Sequence, residues 1–427
     1  MQHQLSTLQD VQGLYDWFKE MRETQPAWLD ESSGCWHVFR YADVHTVITD
    51  YHLFSSERRQ PTLVRPSNAH PTGPSADHEQ EARAGRSLLA MDPPQHRQYR
   101  NLVSPSFTPR ALSRLSDRIT TITQELLDDI CSAGHLDVVA DIAYPLPTTV
   151  IAEMLGVPIS DRSLFKQWAD GLLSSQLRDA ELFKPEQEQR DNPEMQRLRR
   201  IFEEMSDYFK ALLEDRRRQP RADLMSELLA AEVDGEHLST EDTINFCSLL
   251  LLAGHITTTN LLSQAIRCFD EHPETLAQVR ERPDLMPGAI EEVLRYASPV
   301  WRLLRTTTTD VTIGDVTIPA NSSVFPWLAS ANRDERHFSN PEQFDITRHP
   351  NRHIAFGHGI HFCIGAPLSR LEASIALPMM LAQLPDLQVV HDQPLELFEG
   401  RVLFGFKRLP ATFLKTERMG SLISMPS

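Results

Sequence analysis

Ten residues in the last fifth of the chain concentrate its reactive side chains: Phe356-Gly357-His358-Gly359-Ile360-His361-Phe362-Cys363-Ile364-Gly365. Three glycines in so short a run let the backbone turn tightly and approach a flat partner closely. Cys363 stands just before LSRLEASIALPMMLA, which reads as a helix running from near Ile364 to near Leu384. Free N–H groups at a helix start favour a thiolate over a thiol. A thiolate so placed is a nucleophile or a metal ligand, and the alternative is a buried structural cysteine. Two charged pairs have helical spacing. Glu292 and Arg295, three apart, share a face and can pair. His96 and Arg100, four apart, also share one face.

These residues must be positioned by a large fold. The chain has 427 residues, 41% hydrophobic and 24% charged, as expected of a globular protein with an ample core. Its net charge of −17 argues against broad binding to nucleic acid or anionic lipid. Five scattered cysteines form no CxxC pair and predict a reducing compartment, taken here as the cytoplasm. Thr243–Ile266 carries no charged residue and is long enough to span a bilayer, but ten polar side chains within it favour a buried core helix. Ser239–Thr240–Glu241–Asp242 caps that helix, which runs to about Asp270 before His272–Pro273 stops it. WHVFRY (36–41) reads as a strand, residues 60–90 as a long proline-rich loop, and residues 108–289 as mostly helical. After Pro299, TTTTDVTIGDVTIPANSSVFPW reads as short strands and turns. The fold class expected is mainly α with small β-sheets (α+β), in one domain over residues 1–427 with no fused reductase.

FGHGIHFCIG resembles the haem-binding pattern FGxGxHxCxG of the cytochrome P450 family at every specified position. The resemblance implies the cytochrome P450 fold, haem b as cofactor, and Cys363 as the axial thiolate, within a loop that Phe356 opens and Gly365 closes. A thiolate donates electron density to the iron and favours O–O cleavage, which points to oxygenase chemistry. Glu292–Arg295 fits the family's ExxR, implying a brace behind the haem completed by a third residue before the cysteine loop. Asp92-Pro93-Pro94-Gln95-His96-Arg97-Gln98-Tyr99-Arg100 resembles DPPxHxxxR. It implies that His96 and Arg100, with Arg305 and His361, bind the haem propionates. Leu251-Leu252-Ala253-Gly254-His255-Ile256-Thr257-Thr258 resembles AGx(D/E)T(T/S). Here Ala253 and Gly254 would let the helix deform and admit dioxygen, and Thr257 would be the oxygen-activating threonine. Ile256 stands where the family has an acid, so the proton relay must be rebuilt, by-passed with peroxide, or altered by substitution at this position.

By position in the family, the substrate pocket draws on Leu250, Ala253, Val300, Trp301, Leu303, Leu304 and Phe404, an apolar set that predicts a lipophilic small molecule. Arg302 reads as a partner for a substrate carboxylate or as a solvent-facing cation. The leading expectation is a monooxygenase that uses O2 and electrons from a ferredoxin and an NAD(P)H-dependent ferredoxin reductase. Arg97, Arg110, Arg114, Arg348 and Arg352 are candidates for the ferredoxin docking patch. A peroxide-driven haem-thiolate enzyme and a non-catalytic haem sensor or carrier are the rival readings.

Overall fold

The protein was analysed as a computed structural model, which describes residues 8–57, 87–173, 188, 191–233, 235–392, 395–398 and 402–416. The chain opens with α1 (Leu8–Thr24), then β1 (Ala27–Asp30) and β2 (Cys35–Val38), a hairpin turned at Gly34 with φ of +69°. The predicted strand at residues 36–41 therefore stops early. Arg40 is already the cap of α2 (Tyr41–Thr49), which is followed by the short β3 (Phe54–Ser55). The expected loop at residues 60–90 lies mostly outside the described residues, and its end, Leu88–Ala90, is a single 3-10 turn.

Helices then dominate: α3 (Gln95–Val103), α4 (Ser116–Ile130), α5 (Pro145–Met154), α6 (Arg162–Leu173), α7 (Pro193–Arg218) and α8 (Leu224–Ala230). Between α4 and α5 run β4 (His135–Asp137) and a π-turn at Val138–Ala143. The long helix α9 spans Thr240–Glu271, 32 residues or about 48 Å at 1.5 Å per residue. Ser239 caps it by accepting from the Asp242 N–H at 3.0 Å, as its sequence predicts. α9 is long and apolar enough to cross a membrane, but 67% of that stretch is buried inside the fold, against α5, α7, α11 and α12. It is a core helix. α10 (Pro273–Glu281) and α11 (Met286–Tyr296) follow, and α12 (Ala366–Gln383) comes after the cysteine loop.

The β structure is small, as expected. β5 (Arg305–Thr307) and β6 (Ser323–Pro326) complete a five-stranded sheet ordered β1-β2-β6-β5-β3, with β6 parallel to β2 and the other pairs antiparallel. Residues 311–318 form a hairpin that pairs Ile313 with Val316 around Gly314. β7 (Gln388–Val389), β8 (Pro410–Thr412) and β4 form a second sheet. One apolar cluster gathers the helices around α9, and a second, with Val44, Val47, Ile48, Ile318 and Val324, lies under the five-stranded sheet.

Candidate functional site

The cysteine loop turns through Gly357 and Gly359, both at positive φ (+69° and +71°), where a side chain would be strained. A Cβ on Gly359 would lie in ordinary contact with Thr49 of α2, 3.4 Å away, so the constraint there is the backbone conformation. The Cys363 N–H donates to the Phe356 carbonyl at 2.9 Å, which closes the loop before α12 begins. Desolvation raises the Cys363 thiol above its ordinary value, against the downward pull of the Gly365 and Ala366 N–H groups, Arg100 and Arg370. The helix start alone therefore does not make this sulfur a thiolate, whereas a coordinated metal ion would. Among the described residues no three His, Cys, Asp or Glu side chains converge on a metal position. The accessible Cys363 fits an ion that brings its other ligands with it, as an iron porphyrin does.

Four basic side chains from three segments meet around this loop: His96 and Arg100 of α3, Arg305 of β5, and His361 of the loop itself. The His96 and His361 rings lie edge to face at 4.3 Å, and both feel Arg100 and Arg305. Burial and these cations push His96 down to about 4 and His361 to about 3. His96 Nε2 is buried without a partner, and His361 Nε2 lies 2.9 Å from Ser56 Oγ. Arg100 donates to the carbonyls of Ile360 at 2.8 Å and Phe362 at 2.7 Å, so it also pins α3 to the loop. Such a cluster is costly unless anions face it, and it suits the paired carboxylates of haem b.

Along α9, Ala253 is exposed and Leu249 and Thr257 half-buried, which marks one open face at i, i+4 and i+8. Thr257 Oγ1 donates to the Ala253 carbonyl at 2.7 Å, Thr258 Oγ1 lies 3.2 Å from the Gly254 carbonyl, and His255 Nδ1 bonds the Leu251 carbonyl. Side-chain bonds of this kind compete with the helix ladder and favour bending. Ile256 is buried and offers no proton. His255 faces away, fully buried and edge-on to Tyr144 at 5.4 Å, as its position around the helix predicts. Gly254 requires a correction. A Cβ there would meet Ile151 Cδ1 at 2.8 Å, so its small size serves the packing of α9 on α5. Of the small pair, only Ala253 borders the open face.

The pocket set divides. Val300, Leu303 and Leu304 keep partial exposure, and a bridge between Val300 and Leu403 joins the two predicted segments. Leu250 is instead buried in the core. Trp301 and Phe404, their rings 4.5 Å apart, are also core residues, because Tyr15 and Phe18 of α1 reach Trp301 at 6.0 and 6.3 Å. Arg302 meets neither expectation: its guanidinium is buried over Phe325 at 4.0 Å and Trp327 at 5.1 Å.

The predicted brace is present. Arg295 donates to both oxygens of Glu292 at 2.8 Å and also to the carbonyls of Asn332, Pro341 and Gln343. The third member is Arg348, whose Nε lies 3.2 Å from each Glu292 oxygen. Arg348 therefore leaves the docking set, because it is spent inside the fold. Arg114 is paired with Glu227 at 2.8 Å, whereas Arg97, Arg110 and Arg352 are exposed. Beside the brace, Glu291 receives Arg370 at 2.6 Å and His353 at 3.0 Å, and Arg370 lies over Phe356 of the loop at 4.5 Å.

Sequence reasoning passed over Ser369 and Glu372. Ser369 Oγ lies 3.2 Å from Thr258 Oγ1, and Glu372 is fully buried with both carboxyl oxygens unpartnered. The signal available was an acid set among the apolar residues of LEASIAL.

Comparison with known proteins agrees with this geometry. Residues 63–413 match the family model described as Cytochrome P450. The chain is 40% identical to the erythromycin C-12 hydroxylase of Saccharopolyspora erythraea, covering 95% of this chain and 97% of that protein. It is 39% identical to the cyclomarin C epoxidase CymV of Salinispora arenicola, covering 95% and 98%. The solved structure of CYP109Q5 from Chondromyces apiculatus superposes with a TM-score of 0.83 at 38% identity, covering 96% and 98%. The chain belongs to the cytochrome P450 family and is an oxidoreductase of the monooxygenase type.

Proposed function

We propose that this P450 inserts one atom of dioxygen into a lipophilic small molecule by hydroxylation or epoxidation, with Cys363 as the axial thiolate of haem b. The observation that carries the reading is a lone accessible thiol at the start of α12, with two N–H groups on its sulfur and, among the described residues, no cluster of three metal-ligating side chains around it. When bound, the haem-thiolate supplies dioxygen binding and the electron-rich axial ligand that favours O–O cleavage.

The chain's own residues do the rest. His96, Arg100, Arg305 and His361 bind the propionates and hold the cofactor's orientation. Glu292, Arg295 and Arg348 keep the segment before the loop fixed. Thr257, on the open face of α9 beside Ala253, orients the water or hydroxyl that hands over protons. Val300, Leu303 and Leu304 exclude water and seat an apolar substrate. Hydroxylase and epoxidase relatives support insertion as the reaction class.

Electrons come from a ferredoxin and an NAD(P)H-dependent ferredoxin reductase. The exposed Arg97, Arg110 and Arg352 support docking of an acidic partner. Five free cysteines support work in the reducing cytoplasm.

Ile256 favours a second reading, a peroxide-driven enzyme. The test is a panel of lipophilic compounds, starting with erythromycin and cyclomarin C, supplied with ferredoxin, reductase, NAD(P)H and isotopically labelled dioxygen. Label in the product supports the monooxygenase. Product formed with hydrogen peroxide alone, and none with the electron chain, supports the peroxide reading instead.

A further inference from the structure

The open face of α9 ends where another segment of the chain comes very close. Ala253 and Thr257 lie on that face, and Asn260 continues it one turn on, fully buried. A Cβ placed on Gly405 would fall 1.9 Å from Asn260 Oδ1, 2.3 Å from its Cγ and 2.8 Å from its Nδ2. All the atoms of the amide head thus crowd the one position that a side chain at 405 would need. Because Cγ itself is in the way, turning the amide about its Cβ–Cγ bond opens no room. Moving it further requires another χ1 rotamer, and a helix allows few of those. The Gly405 backbone is not in the left-handed region, so closeness alone demands glycine here. Neither polar atom of Asn260 has a protein hydrogen-bond partner among the described residues. Hydrogen bonding within the fold therefore does not account for an amide at this buried position. Its shape does, because a planar head lets backbone approach more closely than branched aliphatic carbon.

Gly405 closes a short turn that is bonded to the apolar wall of the site. The Trp301 N–H donates to the Val402 carbonyl at 2.8 Å, and the Phe404 N–H donates to the Pro299 carbonyl at 2.9 Å. Between them, Val300 bridges Leu403. Leu403 is half-buried, as are Val300, Leu303 and Leu304. The turn and the 299–304 segment therefore move together, and they rest on α9 through Gly405. Close-packed contacts of this kind transmit a displacement rather than absorb it. We propose that the contact between Asn260 and Gly405 sets the distance from α9 to the Leu403 wall, and so the length of lipophilic substrate this enzyme accepts. The inference rests on the haem-thiolate, lipophilic-substrate reading above and deepens it. Asn260 is a positioning residue, acting through Gly405 and Leu403 without touching substrate. Gly405→Ala lifts the turn, and the segment bonded to it, away from α9. Asn260→Ala removes the support and lets both settle toward the helix. Made together, the two changes cancel, because the amide that the new methyl group would meet is gone.

The test uses a molecular ruler, a series of N-alkylimidazoles of rising chain length added to the ferric holoenzyme. The ring nitrogen binds the haem iron and shifts the Soret band, while the tail lies in the pocket. In the wild type, affinity should rise about fourfold with each added methylene until the tail meets the wall, and then stop rising. The two single variants should move that break point in opposite directions by a carbon or more, changing affinity about fourfold or more for tails at the limit. The variant carrying both changes should return the break point to its wild-type place. A break point unmoved in the single variants, moved the same way in both, or not restored in the double overturns the proposal. So does a loss of affinity that is equal for every tail length, which a merely structural role would give. If Gly405→Ala fails to retain haem, the other two variants decide. Asn260→Ala must still shift the break point, and the double variant must recover both haem and the wild-type break point; failure of either overturns the proposal. A wild-type Soret band that no alkylimidazole moves would sink the haem reading beneath, and the proposal with it.

Discussion

Two glutamates of this enzyme are equally buried, with no accessible surface, and are treated by the fold in opposite ways. Glu292 on α11 is saturated. Arg295 and Arg348 donate to both its oxygens, the Asp345 N–H donates at 2.9 Å, and Asn351 Nδ2 donates at 3.0 Å. Among the described residues, Glu372 on α12 has no hydrogen-bonding protein partner. A charge removed from water must be repaid by partners, which Glu292 has, whereas desolvation holds the Glu372 carboxyl well above its ordinary range. The contrast separates structure from chemistry. A saturated network fixes the loop-bearing segment, while desolvation favours the neutral form of an acid that the described protein atoms leave unbonded.

The difference should appear first in stability. Glu292→Gln removes the charge facing the buried Arg295 and the partly buried Arg348, and losing one side of a buried pair typically costs about 3–5 kcal/mol. We expect a large fall in thermal midpoint and loss of haem on purification; an unchanged midpoint would mean the network is not bracing the fold.

Glu291, beside it, is the intermediate case. Burial works against its charge, but hydrogen bonds from Arg370 and His353 prevail and hold the carboxyl at about 2, against 4.5 for the free group. A depressed carboxyl stabilises the fold above its unfolded value, and that contribution disappears as pH falls from about 4.5 toward about 2. Allowing for its partial exposure, the expected contribution is about 1–2 kcal/mol. Urea unfolding of Glu291→Gln should show this loss at neutral pH, and the gap from wild type should close in acid. A gap that persists to the lowest pH would show that charge is not its origin.

Smallest should be the effect of Glu372→Gln on stability. One neutral group replaces another of the same shape, so the urea midpoint should move by less than about 1 kcal/mol. A loss as large as that of Glu292→Gln would mean that Glu372 is ionised and paired in solution, which erases the contrast.

Much of the frame was legible in the sequence because it is local. The glycines at 357 and 359, the Ser239 cap, the apolar length of α9 and the pairing of Glu292 with Arg295 depend on neighbours a few residues away. What misled came from partners distant in the chain. Trp301 looks like a pocket residue until Tyr15 and Phe18 of α1 are seen to claim it. Gly254 looks like an opening for dioxygen until Ile151 of α5 occupies the space. Arg348 looks like a surface cation until the chain folds it onto Glu292, 56 residues earlier. Glu372 carried the weakest signal, since a single acid in a helix ordinarily faces water.

Everything assigned to the site depends on the proposed bond from Cys363 to iron. The direct measurement is the absorption spectrum of the reduced carbon monoxide adduct of freshly purified protein, beside Cys363→His. The wild type should show the red-shifted Soret band of a thiolate-ligated haem, and the variant should lose it while still binding haem. A wild-type spectrum like that of a histidine-ligated haem, or one unaltered by Cys363→His, would contradict the account.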